Sequence, residues 1–118
     1  MSNKRYDIYE RIFKLVVSVI RITRLISKTE ENRIIISQLL RSVTSMGANS
    51  EEADGVSSRK DFLHCFTTVR KEGKETGFWL RLLSEINPQL RDKIAPLVKE
   101  VEEIVAIVSQ IIKNSREK

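Results

Sequence analysis

The chain has 118 residues, with 21 Lys and Arg against 16 Asp and Glu, a formal net charge of +5 and a sequence pI near 9.6. A chain of this length forms one domain that buries roughly two-thirds of its unfolded surface, enough for a core without disulfides or a structural metal. The single cysteine, Cys65, excludes an intrachain disulfide; Met1 to Asp7 lack the apolar run of a signal peptide, and no apolar stretch approaches the ~18–20 residues that span a bilayer, so a soluble cytoplasmic protein is expected. The basic balance favours polyanionic partners electrostatically without identifying one.

Four segments carry apolar residues at alternating steps of four and three, the period that keeps one stripe of a helix facing a partner. In the first, Ile8, Ile12, Leu15, Val19, Ile22 and Ile26 predict a helix over about 3–27. Thr29 or Ser27 can cap the next, with Glu30 and Glu31 in its first turn where the helix dipole favours acids. That second helix, about 30–54, runs through Ile36, Leu39, Val43, Met46, Ser50 and Ala53. Its middle, Ser42 to Asn49, is poor in helix formers, so packing must hold it helical while its small residues admit a close neighbour. Gly55 stands where the helix would end in a left-handed cap, and Ser57 or Ser58 can cap the third helix.

The third helix, about 58–86, reads Phe62, Phe66, Val69, Gly73, Thr76, Leu80 and Leu83. Glycine costs ~1 kcal/mol in a helix interior, so Gly73 in this seam and Gly77 beside it point to close helix approach. Asn87-Pro88 reads as an N-cap and first-turn pair for the fourth helix, about 88–114, whose stripe is Leu90, Ile94, Leu97, Val101, Ile104, Val108 and Ile111. Pro96 removes an amide donor inside that pattern, which predicts a kink or break near Lys93 to Ala95. With no strand alternation, repeat or linker, four long helices and short loops predict an all-α antiparallel up-down-up-down four-helix bundle, a single domain over 1–118.

Catalytic and metal chemistry find no support in these residues. His64 is the only histidine, a helical di-metal site needs Glu-x-x-His on two helices, and Glu51, Glu52 and Asp54 read as a helix terminus. Cys65 adjoins His64, but adjacent helical residues point ~100° apart and cannot act as nucleophile and base toward each other. No Walker loop, dinucleotide fingerprint or serine elbow is present. The expectation is therefore a non-enzyme without cofactor or metal.

The charges of the third helix are segregated. At ~100° per residue, Arg59, Lys60, Arg70, Lys71, Lys74 and Arg81 fall on one flank, and Asp61, Glu72, Glu75 and Trp79 on the other. A solvated face mixes signs at i, i+4, so segregation asks for different neighbours on the two sides. Helices one and four also carry apolar residues outside the seam: Tyr9, Phe13, Val16, Val17 and Ile20 in one, Val98, Val105, Ile107 and Ile112 in the other. Two dissimilar complementary flanks suit a head-to-tail contact that closes into a ring. The expected subunit contact is Trp79, Glu72 and Glu75, and the expected phosphate-facing strip is Lys60, Arg70, Lys71, Lys74 and Arg81; the same lysines could instead pair with a neighbour's acidic flank.

Gly47 to Phe62, continuing through Lys71-Glu72-Gly73-Lys74-Glu75-Thr76-Gly77-Phe78-Trp79-Leu80-Arg81-Leu82-Leu83, resembles the family of small four-helix-bundle proteins encoded in 23S rRNA intervening sequences. The resemblance is strongest from Gln38 to Leu83, and in the flanking helices it rests on length and heptad pattern. Asn49, Glu52 and Gly55 match positions of the family's Asn-x-x-Glu-x-x-Gly-like pattern, and Asn49 and Glu52 share a helical face. They read either as a surface groove or, preferred because capping needs these residue types, as a polar pair that satisfies the helix end and fixes the turn. The resemblance implies the same bundle fold and a homopentamer, and distant relatives act as accessory proteins of diversity-generating retroelements. The combined expectation is a homopentameric scaffold that binds RNA or other nucleic acid without sequence readout. The alternative is a protein-interaction adaptor, for example for a reverse transcriptase.

Overall fold

The computed structural model describes residues 4–117, with side chains from Ile8 onward. Four helices are present, α1 (Lys4–Thr23), α2 (Glu30–Gly55), α3 (Arg59–Ile86) and α4 (Arg91–Arg116), the last preceded by a 3-10 turn, η1 (Pro88–Leu90). The expected start of the first helix at Asn3 lies outside the described residues. Each helix packs its backbone closely on two others in the cyclic order α1, α2, α3, α4, and across the diagonal the Tyr9 ring of α1 meets the Phe66 ring of α3 at 6.0 Å between centroids, which is the arrangement of a four-helix bundle.

The caps explain most of the boundaries. Thr29 Oγ1 accepts from the Asn32 amide at 3.2 Å and Ser58 Oγ from the Asp61 amide at 3.1 Å, so each hydroxyl satisfies one of the donors that a helix start leaves unpaired. The first helix ends at Thr23 rather than near Ser27. Arg24, Leu25 and Ile26 donate to Arg21, Ile22 and Thr23 in the tighter i to i−3 pattern, and Lys28 Nζ donates to the carbonyls of Thr23 and Ile26 at 2.7 and 2.8 Å. The apolar period continues past the helix because Ile26 is buried in the turn as well.

One expectation is corrected and two are refined. Gly55 does not enter a left-handed cap, since no described residue has positive φ; Val56, extended at φ −82° and ψ 151°, carries the chain out of α2 instead. Asn87 and Pro88 stand at the cap and first position of η1 as expected, with the Asn87 carbonyl accepting from the Leu90 amide at 2.9 Å, but the Asn87 side chain makes no capping bond to that turn. Its amide group exchanges a reciprocal pair of 3.0 Å hydrogen bonds with buried Asn32, and also donates to the Leu83 carbonyl at 3.0 Å, while Asn32 donates to the Ser27 carbonyl at 2.9 Å. Pro96 produces no break, because α4 continues through it. The donor that Pro96 lacks would have served a carbonyl in the exposed first turn of α4, where water can substitute, and the irregularity lies upstream in η1.

The predicted seams form the core. All six seam positions of the first segment and all six of the second are buried. In α3 and α4, Phe62, Leu97 and Ile111 are only half-buried, and Ile112, assigned outside the seam, is 1% exposed. A strict seven-residue repeat drifts ~20° per heptad around a straight helix, so after Val108 the next inward position comes four residues on.

Gly73 marks the closest approach. A Cβ there would lie 2.7 Å from Val105 Cγ2 on α4 and 3.2 Å from Met46 Cε on α2, so hydrogen is the only side chain that fits without displacement. At Gly77 the corresponding distance to Val101 is an ordinary 3.4 Å. One turn from Gly73, the Thr76 and Ser42 hydroxyls lie 2.8 Å apart between α3 and α2, each also within reach of a carbonyl of its own helix; with one proton apiece, one hydroxyl donates to the other and the second donates to its carbonyl, so both protons are used. Gly73→Leu is expected to overpack the seam and cost roughly 1–3 kcal/mol, read as a lowered thermal midpoint; an unchanged midpoint would contradict the packing.

Candidate functional site

The two flanks of α3 face different helices, which accounts for their opposite charge. The acidic flank lies against α2. Arg41 pairs with both Glu72, at 3.4 Å, and Glu75, and Ser45 Oγ donates to Glu72 at 3.4 Å. Trp79 is half-buried, with its indole N–H 3.4 Å from the Glu75 carboxylate. Glu72 is buried, so the Glu72, Glu75 and Trp79 set expected at a subunit contact is engaged within the chain. Arg41 was missed because a single helix pattern identifies the face a residue occupies and not its partner across the seam.

On the other flank, Lys60, Lys71, Lys74 and Arg81 are exposed and Arg70 is half-exposed. None of the five makes an ion pair among the described residues. Lys74 and Arg81 edge a groove between α3 and α4 whose floor is Gly73, Gly77, Val101 and Val105, with Phe78 standing 52% exposed beside it. The groove widens into a hollow of about 610 Å³ reached by Val98, Lys99 and Glu102 of α4. Phe78 lies within the basic arc of α3, where the charge pattern drew the reading to its lysines and arginines and not to the ring among them.

The turn motif is dispersed. Asn49 donates backwards, to the Ser45 carbonyl at 2.9 Å and its hydroxyl at 3.3 Å, so it bonds within the helix and does not close its end. Glu52 and Gly55 are exposed, and open space surrounds a Cβ placed on Gly55. His64 faces outward while Cys65 is buried; burial, then the charges of Glu52 and Asp61, push the Cys65 thiol up from its ordinary pKa. Across the opposite seam, Arg11 of α1 binds Glu100 of α4 through two nitrogens at 2.9 and 2.6 Å and reaches Glu103 at 3.3 Å. Those bonds, Glu100 first, raise the guanidinium's pKa further above its ordinary value. Among the described residues no group of three or more His, Cys, Asp or Glu is placed to hold a metal ion, and no helix is long and apolar enough to cross a membrane.

A small antiparallel four-helix bundle with one internally neutralised and one open basic flank on its third helix is the class these observations define. The 23S rRNA-intervening sequence protein family matches residues 4–110, and the chain belongs to that family. It is similar to a protein of unknown function from the S23 ribosomal protein family of Bacteroides thetaiotaomicron, whose crystal structure superposes with a TM-score of 0.84 at 28% identity, covering 94% of this chain and 99% of that one. Comparison with curated proteins finds no match.

The Arg41 network makes its own prediction. Arg41→Ala leaves the buried Glu72 carboxylate with only the long Ser45 bond, and an unsatisfied buried group costs about 1–3 kcal/mol. Adding Glu72→Gln removes the charge that needed the arginine and should recover part of that loss in denaturant unfolding. No recovery would contradict a role for Arg41 in neutralising Glu72.

Proposed function

We propose that this chain is a non-enzymatic homo-oligomeric scaffold, a homopentamer, that presents the basic flank of α3 to RNA or other nucleic acid. The observation that carries this reading is that Lys60, Arg70, Lys71, Lys74 and Arg81 lie within one arc of α3 and make no ion pair among the described residues, while Glu72 and Glu75 of the same helix are matched by Arg41. Cations left without partners attract phosphate, and Lys and Arg contacts to phosphate supply affinity without sequence readout. One exposed ring, Phe78, stands beside Lys74 and Arg81, while Trp79 lies on the other flank of α3, so the strip lacks the set of several stacking aromatics with which RNA-reading modules hold successive bases. An oligomer repeats the strip, so weak contacts add through avidity. The family match to 23S rRNA-intervening sequence proteins fits a cytoplasmic protein working near RNA.

A protein-interaction adaptor, for instance an accessory protein of a reverse transcriptase, is the second reading. The aromatic rings of Phe13 and Phe78, 58% and 52% exposed, favour it, because exposed rings serve protein contacts better than phosphate contacts.

Two measurements on the full chain test the proposal. Light scattering at micromolar concentration should return five protomer masses, and a strictly monomeric mass would contradict the scaffold. Titration of a single-stranded RNA across a salt series should give log affinity falling linearly with log salt. Lys60→Glu/Lys71→Glu, which alters the strip away from the α3–α4 groove, should flatten that slope and weaken binding with the mass unchanged. Absence of binding by the unaltered protein at low salt would remove the nucleic-acid reading and leave the adaptor.

A further inference from the structure

Two outer faces of the bundle carry an exposed phenylalanine, and the cyclic helix order puts them on opposite sides of the molecule. On the α1–α2 side, Phe13 stands beside a small hollow formed with Val16, Gly47, Ala48 and Glu51. Val17 and Ile20 extend this face along α1, both half-buried. On the α3–α4 side, Phe78 stands beside the groove floored by Gly73 and Gly77.

Their charges are opposite. Glu51 lines the hollow beside Phe13, and Asp54, three residues on, occupies the same side of α2; both are exposed and neither makes an ion pair among the described residues. Glu10 and Lys14 of α1 lie one turn apart on the outer side and offset each other, while exposed Arg21, two turns past Lys14 on the same line, adds a cation at the far end, so the negative balance is confined to the hollow beside Phe13. Around Phe78 the cations are Lys74, Arg81 and Lys99. The groove also holds two acids, Glu102 and Glu85, and Glu85 is approached by Arg91 at 3.8 Å, so the balance on this side is positive.

We propose that a second copy of this chain occupies the α3–α4 groove, seating its Phe13 face against Phe78 with Glu51 and Asp54 among Lys74, Arg81 and Lys99. This rests on the homo-oligomeric reading and names the surfaces that build it. The two faces are different, so the contact is heterologous: every copy offers one of each, and repetition continues until the rotation closes a ring. A two-fold dimer would need one face to match itself, which two patches of like charge oppose. The assignment also divides the basic flank: Lys74 and Arg81 serve assembly, while Lys60, Arg70 and Lys71 stay available to phosphate.

The test uses mixtures of the full-length chain. Phe13→Asp removes one face and Phe78→Asp the other, and both side chains are more than half exposed, so the fold should survive, as circular dichroism would check. Each variant alone should fall to the mass of one protomer by light scattering. Mixing the two should give a one-to-one dimer of twice that mass, because one intact pair of faces remains. Should either aspartate variant fail to fold, Glu51→Lys and Lys74→Glu, both at exposed positions and each measured alone, should likewise fall to the mass of one protomer. Variants that keep the oligomeric mass would overturn this contact and leave the oligomer standing. Loss in only one variant, or a mixture that stays monomeric, would overturn the heterologous pairing. A monomeric unaltered protein would overturn the oligomer and this contact together.

Discussion

The constraint on which the bundle depends is the space that Gly73 leaves open. With Val105 of α4 on one side and Met46 of α2 on the other, the middle of α3 is held between two helices at distances that exclude even a methyl group. The Ser42 and Thr76 hydroxyls beside it allow the same closeness, and because one can donate to the other while the second donates to a backbone carbonyl, neither proton is buried unpaired. The contacts of α3 with α2 and α4 are correspondingly more extensive than those of α1 with either neighbour. The first helix packs instead through Ile8, Ile12, Leu15, Val19 and Ile22, whose branched side chains hold its backbone farther away. Its flank residues, Phe13 above all, are left near the surface.

Charge is set by the same geometry. A helix inserted between two others meets a different partner on each flank, and α3 matches this with acids toward Arg41 and bases toward α4. Buried Glu72 is tolerated because Arg41 and Ser45 reach it, whereas the basic flank borders an open groove and makes no ion pair among the described residues. At the α1–α4 seam, Arg11 joins Glu100 and Glu103 where the helices are not drawn together by small residues.

Much of this was legible in the sequence, for a physical reason. Seam residues announce themselves by period, and Gly73 was placed at a close approach because a glycine in an apolar stripe is otherwise only a penalty. The misreadings occur where one residue type serves two purposes. Asn87 before proline has the composition of a cap, yet its amide pairs with Asn32, 55 positions away, and nothing within the local sequence separates a cap from a long-range partner. Gly55 can adopt a left-handed conformation but is not obliged to, and the extended Val56 makes that unnecessary. The segregated charges of α3 were legible as a demand for two different neighbours; that the first of them is Arg41 of the same chain depends on which helices lie side by side, which periodicity does not carry.

The most direct test of the Gly73 constraint is a double-mutant cycle with Val105. Gly73→Ala introduces a methyl that meets Val105 Cγ2, and Val105→Ala removes the atom it meets. If the helices are locked at this distance, the two changes made together should cost less than the sum of the two made singly, with a coupling of roughly 0.5–3 kcal/mol in urea unfolding. Strict additivity would mean that α3 and α4 shift freely past one another at Gly73, and the close approach could not be what positions the rest of the bundle.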